Sequence, residues 1–148
     1  MELLINLSLL FASFFLMEFV AWFSHKYIMH GFLWFFHEDH HQHSTHLDPF
    51  ERNDFFFLLF ATPGIILILF GVDGFQYSFF IGLGITLYGL AYFLIHDVFI
   101  HQRIKWFRKV DNNYFKALRR AHKAHHKHFH KEDGECFGML IVPRKYFK

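Results

Sequence analysis

Three long runs of apolar residues constrain the fold of this chain more than any other feature of its sequence. The first, Leu3 to Phe23, contains one charged residue, Glu18, whereas Phe55 to Val72 and Phe75 to Ile95 contain none. Each run has about the 17–25 residues that a helix needs to cross a bilayer. Because the bilayer core offers backbone groups no water, a chain that enters it must form helices or a closed barrel. The lengths of these runs favour three transmembrane helices.

The three runs organise the chain as one membrane domain, residues 1–148. We expect spans at approximately 3–24, 54–72 and 75–100, followed by a cytoplasmic region from 101 to 148. No low-complexity linker interrupts the chain, so no domain boundary is predicted. The first run lacks a basic leading segment and a small-residue cleavage site, which favours a retained span over a signal peptide.

Smaller features predict how the helices begin and pack. Asn53 or Asp54 is placed to cap the second span. Gly82, Thr86 and Gly89 lie at i, i+4 and i+7 on the third span. This small-residue face predicts the close approach of another helix, with a slot for a flat, elongated ligand as the alternative.

The positive charges predict the orientation of the chain in the membrane. All fifteen Lys and Arg residues lie at Lys26, at Arg52 or from Arg103 onward. By the positive-inside rule, the N-terminus is expected outside and the histidine-rich segments at the cytoplasmic face. The basic tail from Arg103 is expected to be helical through Lys131.

A basic cluster within this tail indicates the kind of partner that the cytoplasmic face meets. Its arrangement favours the anionic headgroups of the lipid bilayer, with an acidic ferredoxin as the alternative, and it implies no nucleic acid. The cluster consists of Arg103, Lys105, Arg108, Lys109, Arg119 and Arg120.

Ten of the fourteen histidines fall into four boxes that repeat as a pair. Polar side chains are costly beside apolar spans, so their clustering there indicates a function. An HX4H box contains His25 and His30, and an HX2HH box contains His37, His40 and His41. The second pair of boxes repeats this order with His96 and His101, then His122, His125 and His126.

The spacing within the boxes indicates metal binding. On a helix, the HX2HH spacing places its histidines within one turn and on one face, where they can approach an ion together. The HX4H spacing separates its histidines by about 140° on a regular helix. Either the helix unwinds locally at these boxes, or each pair ligates two different ions.

The ligand type indicates which metal and how many ions. Imidazoles without thiolates or many carboxylates fit iron, zinc or copper better than magnesium or calcium. Ten boxed imidazoles exceed what one ion can use, so we predict a two-metal site. The predicted fold is therefore an all-α integral membrane protein with three transmembrane helices and cytoplasmic helices that carry a histidine-rich dimetal site.

Other polar residues near the boxes are candidate hydrogen-bond partners of the ligating imidazoles, which need their second ring nitrogen oriented. Glu18 lies about 10 Å along the helix axis from His25, too far to share its ion, so polar groups of the third helix are its expected partners. The full candidate set is Glu18, Asp97, Glu38, Asp39 and His128. Whether His43, His46, His128 or His130 are themselves ligands stays open.

The four boxes and their flanking residues resemble the membrane-bound β-carotene 3-hydroxylase family, part of the wider fatty-acid hydroxylase and sterol desaturase superfamily. The similarity extends over nearly the whole chain. Besides the boxes, it rests on Met17-Glu-Phe-Val-Ala-Trp22, on Phe50-Glu-Arg-Asn-Asp54, on His96-Asp97, on His101-Gln-Arg103 and on Cys136-Phe-Gly138 with Pro143.

This resemblance implies a non-haem di-iron monooxygenase that hydroxylates C3 of β-ionone rings, converting β-carotene to β-cryptoxanthin and then to zeaxanthin. It implies two iron ions, which zinc could replace, O2 as cosubstrate, and electrons from ferredoxin and its reductase. It implies no catalytic residue beyond the metal ligands, which are His25, His30, His37, His40, His41, His96, His101, His122, His125 and His126.

Alternative functions share the same metal chemistry. A carotenoid ketolase, a fatty-acid or sterol hydroxylase, or a desaturase would differ in the shape of the substrate pocket. A metal-binding or metal-transport membrane protein is the alternative outside enzymes. Transport favours ligands along a path through the spans, whereas these boxes gather at one membrane face.

Overall fold

A computed structural model describes residues 1–42, 50–128 and 130–147 of the chain. Within these residues the regular structure is entirely helical, as predicted. The α-helices are α1 (Glu2–Phe23), α2 (Trp34–His41), α3 (Asp54–Gly71), α4 (Tyr77–Phe93) and α5 (Asn113–His125). Two π-helices, π1 (Ser24–Phe32) and π2 (Leu94–Ile100), continue α1 and α4, and a 3-10 turn covers Arg144–Tyr146.

Three helical segments are long and apolar enough to cross a membrane: Glu2–Phe32, Asp54–Gly71 and Tyr77–Ile100. The three predicted spans are thereby confirmed, and the first is longer than expected because π1 extends it. Large apolar side chains such as Phe15 and Phe70 are exposed on these helices. Lipid rather than water would cover such side chains, since the helices satisfy their own backbone hydrogen bonds.

Helix α4 packs against both α1 and α3, and glycines permit the close contact. A Cβ on Gly82 would lie 2.6 Å from the carbonyl oxygen of Gly64, and a Cβ on Gly84 would collide with the carbonyl of Leu10. The predicted small-residue contact is therefore present at Gly82. It is absent at Gly89, where a Cβ would meet nothing within 4 Å. The face that contacts α1 instead uses Gly84, which the i, i+4, i+7 pattern missed.

The tail after the third span is less helical than expected. Gln102 adopts a positive φ of 57°, and its side-chain amide donates to the carbonyls of Val98 and Phe99, which ends π2. The next helix, α5, begins only at Asn113, where the side chain of Asn112 accepts a hydrogen bond from the backbone N–H of Tyr114 at 2.8 Å. The predicted helix from 103 through 131 was therefore too long at both ends.

Packing between α5 and the end of the third span forms a small apolar core beside the histidines. Val98, Ala117 and Leu118 are almost fully buried there. The amphipathic pattern of α5 explains this arrangement, because its apolar face lies inward while its lysines face out. Helix α5 is thus fixed against π2, and its histidines point in a defined direction.

Candidate metal centre

Both HX4H boxes lie at π-helical turns. His25 and His30 are in π1, and the backbone N–H of His101 donates to the carbonyl of His96 at 2.9 Å, an i to i+5 bond. Such a turn brings residues five apart onto one face, which a regular α-helix does not do. Of the two explanations left open by the sequence, local unwinding is therefore the one found.

The boxed histidines gather into two clusters near the ends of the spans. Within each, the candidate ligand atoms lie within 4.8 Å of one another. The first, which we call the His25 cluster, contains His25, His30, His37, His41 and His125. The second, which we call the His40 cluster, contains His40, His101, His122 and His126. The Nε2 atom of His96 lies 3.0 Å from that of His40, so His96 belongs to the second cluster as well.

Each HX2HH box sends its middle histidine to the opposite cluster. In the first such box, His37 and His41 lie in the His25 cluster, whereas His40 lies in the His40 cluster. In the second, His125 lies in the His25 cluster, whereas His122 and His126 lie in the His40 cluster. The expectation that all three histidines of a box approach one ion was wrong. On a helix, i and i+4 differ by about 40° of rotation, whereas i+3 lies about 60° to the other side. The structure uses this difference to build two sites from each box.

Ring nitrogens face one another inside both clusters at short distances. The Nε2 atom of His37 lies 3.0 Å from that of His25 and 3.1 Å from that of His41. In the other cluster, the Nε2 atoms of His101 and His122 are 2.7 Å apart. Two ligands held about 2.1 Å from one ion at right angles are separated by about 3 Å. The spacing of these nitrogens therefore fits imidazoles that share an ion.

The outer ring nitrogens explain why the inner ones are free to bind a metal. The Nδ1 atoms of His25, His30 and His41 lie 3.0 to 3.1 Å from backbone carbonyl oxygens. A carbonyl oxygen can only accept, so each Nδ1 carries the proton and each Nε2 presents its lone pair to the cluster. In the His40 cluster, the Nε2 atom of His126 is buried and has no hydrogen-bond partner. A cation between such lone pairs would satisfy them.

Burial keeps the imidazoles neutral, which is the state that binds metal. Loss of solvent, followed by the nearby His30, lowers the pKa of His41 to about 4. Loss of solvent, followed by His41, lowers the pKa of His125 to about 2. The pKa of His40 also lies well below its ordinary value, first because of burial and then because of His101. These rings are therefore uncharged at neutral pH.

The C-terminal segment, residues 131–141, supports the His25 cluster through its backbone. The carbonyls of Phe137, Lys131 and Glu135 accept hydrogen bonds from His25, His30 and His125, respectively, at 3.0, 3.1 and 2.9 Å. No residue type is required for such a contact, since every residue has a carbonyl group. The segment thus orients three imidazoles that come from two distant boxes.

Glu18 anchors this C-terminal segment to the first span. Its side chain is only 5% exposed, and its Oε1 atom accepts hydrogen bonds from the backbone N–H groups of Met139, Leu140 and Ile141 at 2.8 to 2.9 Å. Its Oε2 atom accepts from the Tyr88 hydroxyl of α4 at 2.7 Å. Glu18 therefore acts on the imidazoles through the segment and touches none of them directly.

The remaining candidate partners differ in where their side chains lie. Asp97 Oδ2 lies 3.2 Å from His96 Nδ1. Asp39 accepts hydrogen bonds from Arg52 instead of from an imidazole. His128 contributes its carbonyl to His41, and its ring joins neither cluster. Among the described residues, no side-chain hydrogen bond joins Glu38 to an imidazole.

The four histidines outside the boxes are accounted for only in part. His130 is exposed and belongs to neither cluster. His43 and His46 lie outside the described residues.

Two hydrogen-bond partners of the imidazoles were missed by the sequence analysis. Glu51 Oε2 lies 2.8 Å from His40 Nδ1, and Asn53 Oδ1 lies 2.6 Å from His37 Nδ1. Asn53 occupies the N-cap position of α3, as predicted, but its side chain forms no capping hydrogen bond; the Asp54 side chain accepts instead from the backbone N–H of Glu51 at 3.0 Å. A polar stretch directly before an apolar run, Glu51 to Asp54, was the available signal for an orienting role.

Arg103 fixes the carboxylates near the His40 cluster. Its guanidinium contacts Asp54 at the start of α3 and Asp97 in π2, at 2.7 and 2.9 Å. These ion pairs, with Asp54 first, raise the pKa of Arg103 above its ordinary value. The bridge joins the second span to the third at the level of the histidines.

Comparison with known proteins identifies the family of this chain. Residues 10–143 match the family model for fatty acid hydroxylases. The chain belongs to the fatty acid hydroxylase family. Within this family, it is 40% identical to a β-carotene hydroxylase of Pseudescherichia vulneris over 95% of this chain and 78% of the relative. It is 41% identical to a β-carotene hydroxylase of Pantoea ananas, over 93% of this chain and 78% of the relative.

A third similar protein is also a β-carotene hydroxylase. The β-carotene hydroxylase of Paracoccus sp. (strain PC1) is 37% identical over 89% of this chain and 81% of the relative. No solved structure matches the chain. The family resemblance stated from the histidine boxes and their flanks is therefore confirmed.

Proposed function

We propose that this member of the fatty acid hydroxylase family is a β-carotene hydroxylase that acts at C3 of the β-ionone ring. The product of the first hydroxylation would be β-cryptoxanthin, and that of the second zeaxanthin. Similarity to β-carotene hydroxylases over most of the chain supports the substrate class. The observation that carries the proposal is the pair of five-histidine clusters at the ends of apolar spans, in which every ring except the half-buried His101 is buried.

The donor set of each cluster fits one iron ion. Imidazole is a common ligand of iron, and the buried, neutral rings present their lone pairs inward. Two bound iron ions would supply the activation of O2 that oxidation of an unactivated C–H bond requires. The ten boxed histidines would be the ligands, and no further catalytic side chain is proposed.

The residues of the chain would orient the ligands and exclude water. Acceptors for Nδ1–H groups fix the ring orientation and leave Nε2 unprotonated, as seen for His25 and His40. Both rings are at least nine-tenths buried. The lack of water around such groups strengthens electrostatic interactions and suppresses side reactions.

Electrons for this reaction would come from ferredoxin and its reductase. Of the six cations in the predicted basic cluster, some bond within the protein: Arg103 to Asp54 and Asp97, Arg119 to the carbonyl of Phe99, and Arg120 to that of Tyr146. The exposed side chains that remain in the cluster are those of Lys105, Arg108 and Lys109. Lipid headgroups are the favoured partner of this smaller set, and an acidic electron donor is the alternative.

The proposed orientation places the N-terminus outside and the histidine clusters at the cytoplasmic face. All fifteen Lys and Arg residues lie at Lys26, at Arg52 or from Arg103 onward, in the same parts of the chain as the boxed histidines. Such an excess of positive charge marks cytoplasmic loops. Labelling of single cysteines introduced at residue 2 and at residue 109, in a chain with Cys136 replaced by serine, would test this orientation.

Product analysis tests the proposed reaction directly. The chain should be expressed in a host that makes β-carotene, beside a variant with His41 and His126 both replaced by alanine. Zeaxanthin with the native chain and none with the variant supports the proposal. Echinenone would indicate a ketolase, and a hydroxylated lipid or sterol would indicate a related hydroxylase. Metal binding without any C–H oxidation under aerobic, reducing conditions would favour the metal-transport alternative.

A further inference from the structure

The two histidine clusters differ in the groups that accept their outer hydrogen bonds. In the His40 cluster, Nδ1 of His40 lies 2.8 Å from a Glu51 carboxylate oxygen, and Nδ1 of His96 lies 3.2 Å from an Asp97 carboxylate oxygen. Both acceptors are acidic side chains. This cluster therefore has two carboxylate-to-imidazole contacts.

The His25 cluster has only uncharged acceptors among the described residues. The partners of its Nδ1 atoms are four backbone carbonyls and the side-chain oxygen of Asn53. The nearby carboxylate of Glu18 is directed to backbone N–H groups and to the Tyr88 hydroxyl. Within the described chain, no carboxylate oxygen forms a hydrogen bond with an imidazole of this cluster.

This difference changes the strength of the ligands. A carboxylate attracts the Nδ1 proton and gives the ring partial anionic character, so its Nε2 atom becomes a stronger donor to a metal. A carbonyl or amide oxygen has the same geometric effect with a smaller electronic one. The Glu51 carboxylate also adds a negative charge beside this cluster, whereas the charge of Asp97 is offset by its ion pair with Arg103 at 2.9 Å.

We propose that the two sites are inequivalent: Glu51 and Asp97 make the His40 cluster the more electron-rich site, which binds the first metal ion more tightly. The inference rests on the proposed two-metal centre and adds the order of loading and the residues that set it. Both acids are positioning residues that act through the rings of His40 and His96.

Two isosteric variants separate charge from geometry. Glu51→Gln keeps an oxygen that can accept from His40 but removes the negative charge. Asn53→Asp keeps the oxygen that faces His37 and adds a charge to the other cluster. A purely structural role would make both variants either neutral or damaging, whereas the proposal predicts opposite effects.

The measurement is titration of the purified, metal-free chain in detergent with Co²⁺ against a competing chelator, followed by visible absorption. For the native chain, we expect two equivalents with different affinities. Glu51→Gln should weaken the tighter equivalent by about tenfold or more and leave the weaker one unchanged. Asn53→Asp should strengthen the weaker equivalent and leave the tighter one unchanged.

Other outcomes overturn the proposal. If Glu51→Gln weakens only the weaker equivalent, the tight site is not the His40 cluster. If it leaves both affinities unchanged, the Glu51 charge does not set the affinity of either site. Circular dichroism checks that each variant folds. If Glu51→Gln does not fold, Asn53→Asp is the deciding variant, and an unchanged affinity of its weaker equivalent would contradict the proposal. Carotenoid products are assayed separately, so failure of the proposed reaction leaves this binding result interpretable.

Discussion

Replacing Glu18 with alanine should release the C-terminal segment from the first span. The substitution removes one buried carboxylate that accepts four hydrogen bonds: three from the backbone N–H groups of Met139, Leu140 and Ile141, and one from Tyr88. With at least ~1 kcal/mol for each bond, the loss is about 4 kcal/mol or more. This is a large part of the ~5–15 kcal/mol by which a domain is stable.

Hydrogen exchange at the amides of residues 139–141 measures this effect. Since ~1.4 kcal/mol corresponds to a factor of ten, their protection should fall by about a thousandfold. The bound metal should also decrease, because the same segment carries the carbonyls of Phe137 and Glu135 that orient His25 and His125. Iron or cobalt content per chain is the second readout.

Glu18→Gln is the matched control. It keeps one oxygen that can accept from the three backbone N–H groups, and its amide can donate to the Tyr88 oxygen. We expect most of the protection and metal binding to remain. The reasoning would be refuted if Glu18→Ala retained native protection at residues 139–141 together with its full metal content.

Three further predictions concern the clusters, the packing of the spans and the pH dependence. His40 shares a cluster with His122 and not with its sequence neighbour His41. The double variant His40→Ala/His122→Ala should therefore keep one metal site, whereas His40→Ala/His41→Ala should damage both. The metal content per chain distinguishes the two variants. Gly84→Ala should destabilise the protein by about 1–3 kcal/mol because its Cβ meets the α1 backbone, measured by unfolding in detergent. In the metal-free folded protein, burial lowers the pKa of His41 from 6.5 to about 4. As the pH decreases, the unfolded chain therefore binds a proton at His41 before the folded chain does, and the stability of the fold should fall between pH ~6.5 and ~4. Thermal melting measures this change.

Controls for these predictions come from the same chain. Gly89→Ala, on the same helix but facing open space, should be neutral or slightly stabilising, since alanine favours a helix over glycine. Equal losses of metal in the two double variants would contradict the division into clusters. A melting temperature of the metal-free protein that does not change between pH 7 and 4 would contradict the buried, neutral imidazoles.

The spans and the clustered residue type were predictable because they depend on local patterns. Apolar runs of bilayer length predicted the three helices, and the repeated boxes predicted which ten histidines come together. What periodicity could not show was the division of each HX2HH box between the two clusters, since a regular helix leaves i, i+3 and i+4 on one broad face. Periodicity also did not show the π-helical turns at His25 and His96, which bring the two rings of each HX4H box to the same side.

The partners of the outer ring nitrogens were harder to predict because they depend on tertiary packing. Phe137 contributes only a carbonyl to His25, and no side-chain signal accompanies such a contact. Glu51 and Asn53 stand in a polar stretch that also suits helix capping, so their contacts with His40 and His37 become visible only once α2 and α3 lie side by side. Glu18 was noticed as a buried acid, but its backbone partners lie more than 100 residues away.

His40 and His125 each lie in a different cluster from the other histidines of their box, which has a consequence for biosynthesis. Neither half of the polypeptide contains a complete set of five imidazoles: the set around His25 includes His125 from the last box, and the other set includes His40 from the second box. Complete metal sites are therefore expected only after the segments that carry all four boxes have been synthesised and have packed together. A separately expressed N-terminal half should accordingly hold the metal only loosely.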